Sequence, residues 1–144
     1  MWHRRKALAV LVSSGAVATL TGCGKSKTIS RDDARSEIRS ALAFAAESQM
    51  FIDYIRSGHA THQYAAGQAA YLEKAVRQSL KEIGEGTPEP GIEEAVRECR
   101  TLLERLAREL RAMGGSINND AALAAARGRI SIIHKGLKDA QAEL

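Results

Sequence analysis

The stretch IEEAVRECRTLLERLARELRAM, residues 92–113, decides the fold class. Ile92, Ala95, Val96, Cys99, Leu102, Leu103, Leu106, Leu110 and Met113 recur mostly at spacings of three and four. At 3.6 residues per turn that places them on a single apolar stripe, which Gly114-Gly115 ends. The positions between them are dense in charge: Glu93, Glu94, Arg97, Glu98, Arg100, Glu104, Arg105, Arg108, Glu109 and Arg111. Glu93 with Arg97, Arg100 with Glu104 and Glu104 with Arg108 sit four apart, a spacing that stabilises an exposed helix by about 0.2 to 0.5 kcal/mol per pair. That side is expected to be a solvated face.

Downstream, Ser116 to Asp120 offer several capping side chains. Leu123, Ala126, Ile130, Ile133, Leu137, Ala140 and Leu144 then alternate at spacings of three and four, the 3.5-residue repeat of a bundle seam. Upstream, Ser30 with Asp33 three residues on can cap a helix of about 27 residues that presents Ile38, Leu42, Ala45, Ile52 and Ile55 and stops near Ser57-Gly58. Thr61 can cap another that carries Ala65, Ala69, Leu72, Val76, Leu80 and Ile83 until Gly84 and Gly86 break the pattern. Thr87-Pro88-Glu89-Pro90 reads as the entry to the third helix, since a first turn has no internal partners for its amides. No strand-like alternation stands out. Four helices with short connections predict an all-α fold, an antiparallel four-helix bundle at residues 30–144; long helical hairpins that dimerise are the alternative. The alanines of Ala121 to Ala126 and the surroundings of Gly67 predict close approach of helix axes there.

The start of the chain has a different character. Trp2-His3-Arg4-Arg5-Lys6 is basic, Ala7 to Leu20 is an uncharged run of 14 residues, and Leu20-Thr21-Gly22-Cys23 closes it with small residues before a cysteine. The run is short of the roughly 20 residues that span a bilayer, and the three-part plan is that of an export signal, residues 1–22, for general secretion. Here the chain resembles the bacterial lipoprotein class, whose lipobox has an aliphatic residue, two small residues and a cysteine; Leu20, Thr21, Gly22 and Cys23 match it position by position. The resemblance implies cleavage between Gly22 and Cys23, a diacylglycerol on the Cys23 sulfur and a membrane anchor of two or three acyl chains, which holds far longer than one. It also implies a domain facing the periplasm. Gly24 stands where the enteric inner-membrane retention signal has aspartate, which favours the outer membrane in a host using that rule. Residues 23–29 then read as lipidated cysteine and polar tether.

Removing that leader changes the charge argument. The chain has 21 basic and 17 acidic residues, but Arg4, Arg5 and Lys6 leave with the signal, so the remainder is 18 against 17. Nucleic-acid binding, which needs a clustered basic face, is not expected. With Cys23 acylated, Cys99 has no intramolecular partner and reads as a buried small hydrophobe.

Motifs for catalysis do not occur: no His-Glu-x-x-His, phosphate loop, serine elbow, Cys-x-x-Cys or Glu-x-x-His is present. A non-enzymatic protein without a cofactor is expected. One segment offers ligand chemistry. His59 and His62 are three apart, and a helix beginning early enough would put both imidazoles on one face, with Glu47, Met50 or Asp53 as further ligands for copper, zinc or haem iron. Tyr64 and Tyr71, seven apart, could wall a small-ligand groove beside them. His134, one position after a core isoleucine, is expected to flank the core. The chain is thus expected to be a tethered bundle that meets an envelope protein or a second copy of itself; a carrier using the His59, His62, Tyr64 and Tyr71 corner is the alternative.

Overall fold

The computed structural model describes residues 27–144. The leader, the Gly22–Cys23 cleavage and lipidation positions and the first tether residues lie outside the described residues. The rest is an all-α helical bundle: α1 (Arg31–Arg56), α2 (His62–Gly84), α3 (Glu93–Gly114) and α4 (Asp120–Ala142). No helix among the described residues is long and apolar enough to cross a membrane.

The helix ends follow their caps. Ser30 and Asp33 form a reciprocal capping box, Thr61 accepts from the Tyr64 amide and Asn119 from the Ala122 amide. Each satisfies an amide that the helix itself leaves open. Gly58 adopts φ 78° just after α1, a left-handed conformation that suits glycine. Every stripe residue of α3 named above is buried, together with Ala107. The α4 stripe is buried from Leu123 to Ala140, and Leu144, just past the helix, is partly buried. In α1 and α2, Leu42 and Leu80 are partly buried and the other stripe residues fully so.

The packing is uneven. α2 lies chiefly on α3, α1 on α4 and α3 on α4, whereas the α1–α2 seam is looser. Contacts along α1 and α4 run in opposite sequence order. Arg31 Nη1 donates to the Leu144 carbonyl at 2.6 Å, Arg127 pairs with Asp53 at 2.6 Å, and Arg56 pairs with Asp120 at 2.7 Å.

The structure departs from the sequence reading in several places. Lys27–Ile29, read as the end of the tether, form a strand, β1, parallel to β2 (Gly86–Pro88), with Ile29 opposite Pro88 and buried. Three residues carry no periodicity to read, and the pairing joins segments far apart in sequence. For the same reason Thr87–Pro90 is not the first turn of α3: Pro88 ends β2, and Gly91, at φ 89°, turns the chain before Ile92, which precedes the helix without a side-chain cap. Gly67 itself is exposed, with nothing within 4 Å of where a Cβ would stand, so it makes no close contact; two residues on, the buried Ala69 methyl lies 3.9 Å from where a Cβ on Gly114 would stand. The close approach is at Gly136, where an added Cβ would stand 3.0 Å from a Leu102 methyl.

The charges of α3 do not pair at the four-residue spacing: Arg97 takes Glu94 rather than Glu93, and Arg100 takes backbone carbonyls rather than Glu104. Arg100 reaches back across the α2–β2 turn, donating to the Ile83 carbonyl from Nε at 2.9 Å and from Nη2 at 2.5 Å, and to the Gly86 carbonyl at 2.9 Å. Glu109 pairs with Arg129 of α4 at 2.7 Å, and Arg111 with Glu73 of α2 at 3.2 Å. These partners lie on other helices, which spacing along α3 cannot indicate.

Candidate functional site

The α1–α2 corner is built from aromatic residues at the end of one helix and the start of the next. The Tyr64 ring meets Phe51 edge-on at 6.2 Å and Tyr54 at 6.3 Å, and Tyr54 stacks on His59 at 5.9 Å. Such pairs add about 0.5 to 1.5 kcal/mol each beyond the area they bury, less where water reaches them. The Tyr54 hydroxyl donates to the His59 carbonyl at 3.2 Å, which ties the corner to α1.

His59 lies before α2, in the connecting loop, so it shares no helical face with His62, the first residue of that helix. Its environment defines its tautomer. Ser57 Oγ spends its one proton on the Tyr54 carbonyl at 2.7 Å and stands 2.6 Å from His59 Nδ1, so Nδ1–H is the donor to the hydroxyl. His62 is exposed. No group of three or more His, Cys, Asp or Glu side chains placed to hold a metal ion occurs among the described residues. Glu47 instead accepts from Gln68 of α2 at 3.4 Å, and Asp53 is held by Arg127, whose hydrogen bond keeps its carboxyl below the usual range. Tyr71 stands apart from the corner, lining a shallow groove of about 260 Å³ with Lys74, Ala75 and Gln78. The corner therefore gathers Tyr54, His59 and Tyr64 and leaves Tyr71 elsewhere. The sequence reading missed Phe51 and Tyr54, which share that end of α1.

Two titratable groups lie deeper. His134 faces Gln49 at 3.4 Å, and burial, with Lys138 adding repulsion, lowers its pKa. Cys99 is fully buried; burial pushes its thiol up to about 12, Glu37 adding to the push and Arg100 opposing it. Folded Cys99 should therefore resist a thiol reagent at mildly alkaline pH and react at once in strong denaturant. The linkage has a definite sign. The contribution is fully present below the ordinary thiol pKa of 9.0; above it the unfolded chain releases a proton that the folded chain keeps, so stability falls as pH rises toward about 12. The slope is about 1.4 kcal/mol per pH unit, to be read from urea midpoints of the wild type against Cys99→Ala.

A second groove, of about 290 Å³, opens between α3 and α4, lined by Arg105, Arg108, Glu109, Arg129, Ile132 and Ile133. The α3 arginines are indistinguishable in sequence from their paired neighbours. The one legible signal is Ile132 beside Ile133, two isoleucines where the stripe needs one. A third groove, of about 270 Å³, follows the looser α1–α2 seam past Glu37, Phe44, Ser79 and Glu82.

Comparison with protein-family models, with curated proteins and with solved structures found no match to this chain.

Proposed function

We propose that this chain is a lipid-anchored lipoprotein of the bacterial envelope whose helical bundle is a protein-interaction or structural module at a membrane surface. The observation that carries the reading is Leu20-Thr21-Gly22-Cys23, placed only three residues before the first strand of the domain. With Ile29 buried, Gly24 to Ser26 are all that separates Cys23 from β1, a reach of about 14 Å at 3.3 to 3.6 Å per residue. Such a domain stands against the lipid surface and meets partners there. Large apolar side chains left in water support an interaction role: Met50, Tyr54, Tyr64 and Tyr71 on α1 and α2, and Ile132 on α4.

The experiment is membrane fractionation of the full chain with and without Cys23→Ala. The wild type is expected in the membrane pellet, its amino-terminal peptide carrying the mass of acyl chains on Cys23, and the variant in the soluble fraction. A wild-type chain that is soluble, or a variant that still pellets after a high-salt wash, would refute the anchor.

A further inference from the structure

We propose that the groove between α3 and α4 docks an acidic amphipathic helix of a partner protein, its carboxylates on Arg105, Arg108 and Arg129 and one apolar side chain over Ile132. This deepens the interaction-module reading and rests on it.

The first support is an imbalance of charge. Among the described residues every arginine but two has an acceptor, in a carboxylate or a backbone carbonyl. The two without one are Arg105 and Arg108, three apart on one side of α3, both exposed and both lining this groove. Its single lining carboxylate, Glu109, is engaged by Arg129 through Oε1, while its Oε2 is buried and bonds to neither Arg105 nor Arg108. Glu104 lies on the same helix but forms no ion pair with either arginine. Residues 27–144 hold seventeen basic and seventeen acidic side chains, so the surplus of positive charge lining this groove is a local one and not a net charge of those residues.

The second support is the apolar floor. Ile130 and Ile133 are buried, whereas Ile132 is 69 % exposed, in the same groove as the unpaired guanidinium groups. An aliphatic side chain contributes nothing to holding a bare phosphate. It suits a helix that presents leucine-like residues at spacings of three and four with glutamates beside them. Guanidinium groups select those carboxylates by planar, two-pronged hydrogen bonds. An open groove of about 290 Å³ has room for one large side chain and the flanks of its neighbours.

The test uses the full chain in a non-ionic detergent and two end-blocked, fluorescent 18-residue probe peptides. Both carry leucine at helical spacing; the remaining positions are mostly glutamate in one and mostly lysine in the other. Binding is read by anisotropy, with an Arg105→Glu, Arg108→Glu double variant in the same micelles to remove any uptake by detergent. The glutamate peptide should bind the wild type at least tenfold more tightly than the double variant, and at least tenfold more tightly than the lysine peptide does. Binding should weaken as salt is raised, and Ile132→Ser should weaken it several-fold. An unchanged urea midpoint will show that the variants are folded. Equal binding by the two peptides, or by wild type and double variant, would overturn the proposal. So would a wild-type oligomer that the double variant dissolves, because the occupant would then be a second copy, offering for instance its Glu37–Glu82 groove. Failure here with Cys23-dependent fractionation intact would leave the anchored-module reading standing; peptide discrimination by a chain that does not fractionate with membranes would refute only the anchor.

Discussion

Leu106→Ala should destabilise the bundle by about 2 to 5 kcal/mol, a large part of the roughly 5 to 15 kcal/mol available to a domain of ordinary stability. Leu106 lies mid-way along α3, fully buried, on the helix that packs against both α2 and α4. Truncation removes the transfer energy of its side chain and leaves a cavity that three packed helices cannot close. With a urea dependence of about 1.5 kcal/mol per molar, a loss of about 3 kcal/mol lowers the unfolding midpoint by about 2 M. Ile132→Ala is the control, since an exposed position away from the core should change stability by no more than about 0.5 kcal/mol. If the two substitutions cost the same, α3 is not the centre of the core.

Arg100→Met should cost about 2 to 4 kcal/mol, although it replaces a charged residue by one that the neighbouring core would accept. The guanidinium satisfies the Ile83 and Gly86 carbonyls where α2 ends and β2 begins, and its hydrogen bonds are charge-assisted. A partly buried bond of this kind contributes about 1.5 to 3 kcal/mol, and the abandoned carbonyls pay a desolvation penalty as well. Arg100→Lys should recover less than half of the loss, since an ammonium cannot reproduce the planar fork. Hydrogen exchange locates the effect: amides of Ile83 to Glu89 should lose protection, while those near Gly114 at the far end of α3 should not. Uniform loss along the chain would mean that Arg100 matters only through global stability.

The contrast between these two residues shows what the sequence discloses. Leu106 is legible because burial imposes a period on the helix, and α3 and α4 repeat it without interruption. Caps were legible for the same local reason: Ser30 with Asp33 and Thr61 act within a single turn. Arg100 looks like any other charge on a solvated face, because its partners are backbone carbonyls across a turn that spacing cannot reveal. Ile29 is equally hidden. Its burial depends on pairing with a segment nearly sixty residues away, which a lone isoleucine after a polar stretch does not announce. The ligand corner was half legible. His59 and Tyr64 do meet at one end of the bundle, but the loop conformation at Gly58 and His59 assigns His59 to Ser57 and Tyr54 rather than to His62.

The parallel pairing of β1 with β2 also determines how a pull on the chain would travel. A pull directed along β1 would load its backbone bonds to β2 together instead of unzipping them one after another. Behind them Ile29 acts as a pin: its side chain fills the space beside Gly86, where a Cβ would collide with Ile29 Cγ1. The Ile29 carbonyl holds the Glu89 amide at 3.0 Å, and the Glu89 carboxylate takes the Arg31 amide at 3.2 Å. Arg100 fastens the Gly86 carbonyl to α3. A pull at Lys27 would thus reach both α1, through Arg31, and α3, through Arg100, at the same end of the bundle.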